Sequence, residues 1–146
     1  MIVIRPTDDV ATVKRLGVAA GLDESEREND VALAAWIAVD EESGEPVGGI
    51  VLERSRDMDT VNWMSVSEGW RRQGIARRLV EALEAEARRR GIARLYLTAR
   101  IPGFYLDRGY VEVTDPGRTA LLLGGCPECP QYGITCTPVA MVKELD

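Results

Sequence analysis

A cluster of arginines and small residues is the strongest candidate for chemistry in this sequence. Residues 71–76 run Arg-Arg-Gln-Gly-Ile-Ala, followed by Arg77 and Arg78. They lie where an apolar strand ending at Val66 is predicted to turn into a long helix. Free N–H groups of a first helical turn and the helix dipole favour an anion, and small residues let it approach the backbone. Because the chain carries a net charge of −6, this cationic cluster indicates a phosphate-bearing ligand, with solvated arginines as the alternative.

The spacing of these residues distinguishes them from two common phosphate-binding motifs. Neither the P-loop pattern nor Gly-x-Gly-x-x-Gly occurs in this string. It resembles instead the acetyl-CoA signature of the GNAT superfamily of N-acetyltransferases, Arg/Gln-x-x-Gly-x-Gly/Ala. A longer form of the family pattern is Val-x-Pro-x-x-Arg-Gly-x-Gly-Ile/Leu-Gly/Ala. In this chain Glu68 replaces its usual proline, and Arg72 replaces a frequent glycine. The positions that match the pattern are Val66, Arg71, Gly74, Ile75 and Ala76.

A second string carries the same resemblance. Residues 104–110, Phe-Tyr-Leu-Asp-Arg-Gly-Tyr, match the family element Phe/Tyr-Tyr-x-x-x-Gly-Phe/Tyr at every fixed position. The resemblance covers residues 1–114 and resumes at the end of the chain. It implies acetyl-CoA as co-substrate and direct acetyl transfer to a primary amine of a small molecule.

The resemblance also implies roles for individual residues. The backbone N–H groups of Ser65 and Val66 would receive the pantetheine arm, and one of them the oxyanion. Tyr105 would be the general acid that protonates the departing CoA thiolate, with a tyrosine that only packs as the alternative. The pyrophosphate would lie against Arg71, Arg72, Gln73, Gly74, Ile75 and Ala76, with Arg77 or Arg78 near the outer phosphate.

A general base must take the proton of the ammonium group, and the chain contains no histidine. That absence excludes Ser-His-Asp and Cys-His catalysis and any histidine-ligated metal. Glu53, near the end of a predicted strand, is the first candidate, although an ordinary solvated glutamate is an equal alternative. Asp57, Asp59 and Glu68 are weaker candidates, and a water relay without a single base is also open.

Three cysteines form a separate candidate site. Cys126 and Cys129 make a C-x-x-C pair, and Cys136 lies close to it in the sequence. Three thiolates could bind Zn²⁺ with a fourth ligand from elsewhere, or a soft ion such as arsenic, whereas free thiols or a disulfide are the alternative. Two rival functions therefore stay open, a CoA-bound sensor without turnover and a thiol-based metal or arsenical binder.

Length and composition predict the general class of the protein. The 146 residues fit one domain, residues 1–146, with an elaborated Cys/Pro/Gly-rich connection at 115–138 before the last strand. The 24 acidic against 18 basic residues argue against nucleic-acid binding. No apolar run is long enough for a membrane span and no signal-peptide pattern appears, so we expect a cytoplasmic protein. The aliphatic last strands are compatible with a homodimer.

The elements that would position these residues follow from hydrophobic periodicity. We predict an α/β fold with a mixed, twisted sheet of six to seven strands and helices on both faces. Gly48-Gly49 within a strand predicts a bulge or a close backbone approach. The acidic segment 23–30 is predicted to be a solvated loop, or alternatively a rim that attracts a cationic amine. Strands are expected at 2–5, 34–39, 47–53, 60–66, 93–99, 110–114 and 139–145, and helices at 8–20, 74–90 and 104–108.

Overall fold

The structure, a computed structural model, describes residues 1–22, 30–123 and 138–145. It divides into two compact units, Met1–Ile92 and Ala93–Asp146. Seven strands and four helices are present in the described residues, so the expected α/β class with six to seven strands is confirmed. None of the described helices has the length and apolarity needed to cross a membrane.

The first unit is an antiparallel meander with two helices. Its strands pair in chain order, since short turns connect β2, β3 and β4. The elements are β1 (Ile2–Pro6), α1 (Val10–Ala19), β2 (Asp30–Asp40), β3 (Pro46–Ser55), β4 (Met58–Val66) and α2 (Ile75–Arg89). Helix α1 begins two residues later than predicted, because the Asp9 carboxylate accepts the N–H of Thr12 at 3.1 Å and caps the helix there.

The two helices of this unit cover opposite faces of its sheet. Side chains alternate along β3, so Gly48 and Gly49 face opposite ways. A Cβ atom at Gly49 would lie 2.9 Å from Val13 of α1, and one at Gly48 would lie 3.6 Å from Leu79 of α2. Helices on both faces are therefore confirmed for this unit. The faces are named below by the helix that covers them, the α1 face and the α2 face.

The buried face of α2 fits the hydrophobic periodicity from which a helix at 74–90 was predicted. Its buried apolar residues recur at helical spacing and face the sheet. Gly74 precedes the helix in a left-handed conformation, and Arg88 and Arg89 in its last turn complement the helix dipole. The buried apolar residues of the stripe are Ile75, Leu79, Val80, Leu83 and Ala87.

The second unit contains three strands and two short helices. Its strands lie in the order β5-β7-β6, and β7 pairs antiparallel with both of its neighbours. A fourth helix, α4, occupies part of the stretch that was expected to be a connection without helix. The elements are β5 (Arg94–Ala99), α3 (Pro102–Leu106), β6 (Val111–Glu112), α4 (Pro116–Leu123) and β7 (Val139–Glu144).

Candidate active site and cofactor cradle

The end of β4 carries a bulge that the sequence did not reveal. Gly49 of β3 pairs with Ser65, but Val51 pairs with Asn62, so two steps along β3 correspond to three along β4. Trp63 lies in this interval and has a φ of 58°, a left-handed conformation that is rare for a bulky residue. A bulge of this kind bends the strand and leaves an extra residue out of the regular pairing. It therefore changes the direction of the backbone just before Ser65 and Val66.

Beyond the bulge, β3 and β4 approach each other closely at a glycine. A Cβ atom at Gly48 would lie only 2.6 Å from the carbonyl oxygen of Ser65, a separation that no side chain tolerates. The close backbone approach predicted at Gly48-Gly49 is thus confirmed at Gly48, whereas the extra residue of the bulge lies in β4. Ser65 itself is 5% exposed, and its buried hydroxyl has no hydrogen-bond partner within the described residues.

The segment predicted to bind the phosphates of the cofactor, called the cradle below, lies between β4 and α2. Gly74 has a φ of 78° and occupies the N-cap position of α2, and Arg72 also has a positive φ of 65°. The first hydrogen bond of the helix runs from the N–H of Arg78 to the carbonyl oxygen of Gly74 at 3.2 Å. The N–H groups of residues 75–77 donate no hydrogen bond within the part of the chain that the structure describes. These N–H groups are the donors that an anion at a helix start accepts.

The arginines around this turn have different surroundings. The Arg71 Nε donates to the carbonyl oxygen of Val66 at 3.0 Å and ties the loop to the strand end. Arg78 instead donates from Nη1 to the Ile2 carbonyl oxygen at 3.1 Å. The Nε of Arg77 lies 3.8 Å from the Oε1 of Glu81. The guanidinium Nη2 of Arg77 would be 3.9 Å from a Cβ atom at Gly74. Of Arg71, Arg77 and Arg78, Arg77 is therefore the one whose side chain lies nearest to Gly74.

These features fit the phosphates of a coenzyme. Open donors, a left-handed glycine whose Cβ would meet only the Arg77 side chain among the described residues, and exposed guanidinium groups all lie within seven residues of chain. Gln73 is exposed beside them. The candidate cradle is defined here as residues 71–77, and it is built entirely from the first unit.

Glu53 lies in the interior of the first unit, so the alternative of an ordinary solvated glutamate is wrong. Glu53 is 3% exposed, and its side chain lies on the α1 face. Its Oε1 accepts a hydrogen bond from Asn62 Nδ2 at 2.7 Å. Asn62 Nδ2 also lies 3.1 Å from Thr60 Oγ1, which in turn donates to the Glu53 carbonyl oxygen at 3.2 Å. A buried carboxylate must be hydrogen-bonded, and the Asn62 amide meets that need here. Asn62 is a partner that sequence spacing did not identify.

Tyr105 lies in the second unit, in the first part of the matched aromatic motif. It is 9% exposed and forms edge-to-face contacts with Phe104 and Tyr110, at 5.0 and 5.5 Å between ring centroids. Burial raises the pKa of Tyr105 to about 12, and the nearby Arg108 guanidinium opposes this shift. The phenol is therefore protonated at neutral pH, which is the state a proton donor needs.

Arg108 is a second residue that the sequence motifs did not single out. Its guanidinium lies 3.9 Å from the centroid of the Phe104 ring, and Nη1 donates to the Phe104 carbonyl oxygen at 2.8 Å. Its backbone N–H donates to the Tyr105 carbonyl oxygen at 2.9 Å. The cation thus closes the C-terminal end of α3 and lies beside the candidate acid.

Two predicted features lie outside the described residues. Cys126, Cys129 and Cys136 belong to one of them, and the acidic segment 23–29 is the other. Within residues 1–22, 30–123 and 138–145, no three cysteine or carboxylate side chains group so as to hold a metal ion. Zinc binding by the cysteines stays a prediction.

Comparison with known families identifies the chain. The acetyltransferase (GNAT) domain family matches residues 31–112, which is more than half of the sequence and includes both β4 and the cradle. The chain belongs to the GNAT family. An uncharacterized N-acetyltransferase of Chlorobaculum tepidum is 32% identical over 82 residues, covering 56% of this chain and 52% of that protein. The GNAT chain thus spans about half the length of this curated relative.

Solved structures show the same fold over the full chain. A GNAT acetyltransferase from Staphylococcus aureus superposes with a TM-score of 0.72 at 16% identity, covering 100% of both chains. A Mycobacterium tuberculosis protein in complex with CoA superposes with a TM-score of 0.71 at 19% identity, covering 99% of each. The GNAT fold predicted from the two sequence motifs is therefore confirmed.

Proposed function

We propose that this GNAT chain transfers the acetyl group of acetyl-CoA directly to a primary amine of a small molecule. The observation that supports this most is the cradle at residues 71–77, where open helix N–H groups follow a left-handed glycine. Acetyl-CoA carries a pyrophosphate that such donors bind well. The M. tuberculosis structural neighbour was solved in complex with CoA, which supports the same ligand.

The transfer forms one bond and breaks another. The amine nitrogen attacks the acetyl carbonyl carbon, a C–N bond forms, and the C–S bond of the thioester breaks. In this proposal a backbone N–H of Ser65 or Val66 donates to the carbonyl oxygen as it gains negative charge. Glu53 takes the proton that the amine loses, and Tyr105 gives its proton to the CoA thiolate. No covalent acetyl-enzyme is involved, and the single domain of residues 1–146 carries all of these roles.

The hydrogen bond from Asn62 to Glu53 supports the role of Glu53 as a base. A carboxylate that is 3% exposed and held by Asn62 has a defined orientation, which proton transfer requires. Replacing it by glutamine keeps the shape and the hydrogen-bonding oxygen but removes the basic site. We expect Glu53→Gln to lower kcat by about 10²-fold or more. The exposed turn residue Glu45 provides the matched control, and Glu45→Gln should leave kcat unchanged.

Turnover and cofactor binding together test the function. Purified protein is assayed with acetyl-CoA and a panel of small primary amines, and acetyl-CoA affinity is measured by calorimetry. We expect Tyr105→Phe to lower kcat by about 10²- to 10⁴-fold with unchanged acetyl-CoA affinity. Tyr96→Phe, which removes a phenol from β5 of the same unit, should change neither quantity.

Three outcomes separate the proposal from its rivals. Tight acetyl-CoA binding without turnover on any amine, and without an effect of Tyr105→Phe, would identify a CoA sensor. Absence of acetyl-CoA binding would reject the cradle altogether. Acetylation that tolerates Glu53→Gln would remove Glu53 as the base and leave a water relay or one of the weaker carboxylate candidates in its place.

A further inference from the structure

Arg108, in the turn after α3, is a half-buried arginine. In the part of the chain that the structure describes, no ion pair joins its guanidinium group to a carboxylate. Its Nε is buried and has no hydrogen-bond partner among the same residues. By contrast, the Nε of Arg94 in the same unit lies 3.2 Å from the Oε1 of Glu144. Removing a cation from water is costly, and no described carboxylate offsets that cost for Arg108.

The guanidinium group of Arg108 is held in a fixed place by Phe104. Its Cζ lies 3.9 Å from the centroid of the Phe104 ring, which is a cation–π distance. Its Nη1 donates to the Phe104 carbonyl oxygen at 2.8 Å. Two contacts to one residue restrict the side chain, so its positive charge is localised within the second unit.

Tyr105 is the ionisable group on which this charge acts. The Phe104 ring that carries the guanidinium group also contacts the Tyr105 ring, with 5.0 Å between the centroids. Burial raises the pKa of Tyr105 to about 12, and the Arg108 charge opposes that shift. A second cation of this aromatic cluster, Lys143 of β7, lies over the Tyr110 ring at 5.5 Å. The Tyr105 hydroxyl forms no hydrogen bond within the described residues, so no neighbouring donor there stabilises its ionised form.

The proposed acid step makes the ionised form of Tyr105 important. The O–H bond of Tyr105 breaks, an S–H bond forms on CoA, and Tyr105 is left as a phenolate until it regains a proton from solvent. A thiol like that of cysteine has a pKa of about 8.5, so a phenol with a pKa of about 12 is much the weaker acid. The transfer is therefore uphill, and a cation near the phenolate makes it easier.

The cation at residue 108 is a feature of this chain and not of the motif that contains it. In the element Phe/Tyr-Tyr-x-x-x-Gly-Phe/Tyr, Arg108 occupies the last of the three open positions. It follows Tyr105 by three residues, a spacing that brings two side chains to the same side of a helical turn. The motif alone thus predicts the acid but not the charge beside it.

We propose that Arg108 is a positioning residue for the general acid, and that its guanidinium group on the Phe104 ring stabilises the phenolate that Tyr105 forms when it protonates the CoA thiolate. This inference rests on the proposed function and adds a residue to its acid step. Arg108 donates no proton itself and acts through Tyr105. Its effect on turnover should therefore appear only in a protein that has the Tyr105 phenol.

A double-mutant cycle on turnover tests this dependence. Rates are measured at saturating acetyl-CoA and amine for the wild type, Arg108→Gln, Tyr105→Phe and the double variant. Glutamine keeps an N–H donor for the Phe104 carbonyl oxygen but carries no charge. We expect Arg108→Gln to lower kcat by about 10- to 100-fold when Tyr105 is present. In the Tyr105→Phe background it should have no further effect.

Three further variants separate the charge from the packing of the side chain. Arg108→Lys restores a cation and should recover most of the kcat that Arg108→Gln loses. Arg108→Met is a second variant without the charge, and it replaces Arg108→Gln in the cycle if that protein does not fold. Arg118→Gln is the matched control, since it removes a guanidinium group that lies 5.3 Å from the Tyr96 ring centroid in the same unit, and it should leave kcat unchanged. Acetyl-CoA affinity, measured by calorimetry, should be the same in all of them, because Arg108 lies outside the cradle.

The outcomes keep this inference apart from the proposed function. Equal losses of kcat with and without the Tyr105 phenol would assign Arg108 a purely structural role. An unchanged kcat in Arg108→Gln, or a loss as large in Arg108→Lys, would also overturn the inference while leaving Tyr105 as the acid. If the wild type has no turnover, or if Tyr105→Phe leaves kcat unchanged, the proposed acid step is wrong and the inference about Arg108 is rejected with it.

Discussion

Replacing Gly74 by glutamate is the sharpest test of the cradle, because α2 supplies a matched control at its other end. Gly74 has a φ of 78° before the helix, and Gly91 has a φ of 74° after it. Among the described residues, only the Arg77 side chain would come within 4 Å of a Cβ atom at Gly74, and nothing would at Gly91. Both substitutions therefore impose the same left-handed conformation on an L-residue, at about 1–2 kcal/mol.

The helix dipole distinguishes the two variants in stability. A glutamate at residue 74 lies at the positive end of α2 and gains about 0.3–1 kcal/mol, whereas one at residue 91 lies at the negative end and loses a similar amount. Gly74→Glu should therefore be the more stable variant by urea unfolding. Any specific loss of ligand binding by Gly74→Glu then has a cause other than unfolding.

The magnitude of that loss follows from Coulomb's law. At about 5 Å from one phosphate charge, with an effective dielectric between 20 and 80, the added carboxylate costs about 1–3 kcal/mol. This corresponds to an acetyl-CoA dissociation constant about 5- to 150-fold higher, with a smaller difference at high salt. Gly91→Glu should bind acetyl-CoA as the wild type does. Calorimetry that finds equal affinities for all three proteins, or equal losses for both variants, would refute the assignment of phosphates to this turn.

Other predictions test the remaining features. Because the pKa of Tyr105 is raised to about 12, its folded phenol stays protonated between pH 10 and 12 while the unfolded one ionises. Wild-type stability should therefore fall by about 2–3 kcal/mol across that interval relative to Tyr105→Phe, measured by urea unfolding at each pH. Gly48→Ala should destabilise the protein by about 1–3 kcal/mol, since its Cβ would lie 2.6 Å from a carbonyl oxygen, whereas Gly103→Ala, with no described atom within 4 Å, should not. If the three cysteines bind zinc, the reduced, purified protein should contain it, and Cys126→Ser should remove it.

The regular elements could be predicted because each has a local cause. Hydrophobic periodicity predicted strands at 34–39, 47–53 and 60–66, and β2, β3 and β4 lie there and pair in chain order. The spacing of the apolar residues in α2 is that of a helix and predicted one at 74–90. The observed helix ends at Arg89, just before Gly91. The two motifs likewise depend on short-range spacing, so their residues alone were enough to infer the family.

Helix α4 was missed although its signals were present in the sequence. Asp115 precedes Pro116, and its carboxylate accepts the N–H of Arg118 at 3.2 Å, as a capping residue does. Pro116 takes the first helical position, where proline is favoured. The following Gly117 and the short apolar run obscured the helical period, so the segment resembled a loop.

The surroundings of Glu53 could not be predicted, because they depend on the bulge in β4. Continuing the register of the Gly49–Ser65 pair without a bulge would place Val61 opposite Glu53. The extra residue shifts the pairing by one, so Thr60 lies opposite Glu53 instead, and Thr60 and Asn62 reach its face of the sheet. A shift of one residue exchanges the two faces of a strand. Here it replaces Val61 by Thr60 opposite Glu53 and brings the amide of Asn62, which lies opposite Val51, to the same face. The strained Trp63 that begins the bulge is thus what allows a carboxylate to be buried with a partner, and the same bulge redirects the backbone toward Ser65 and Val66.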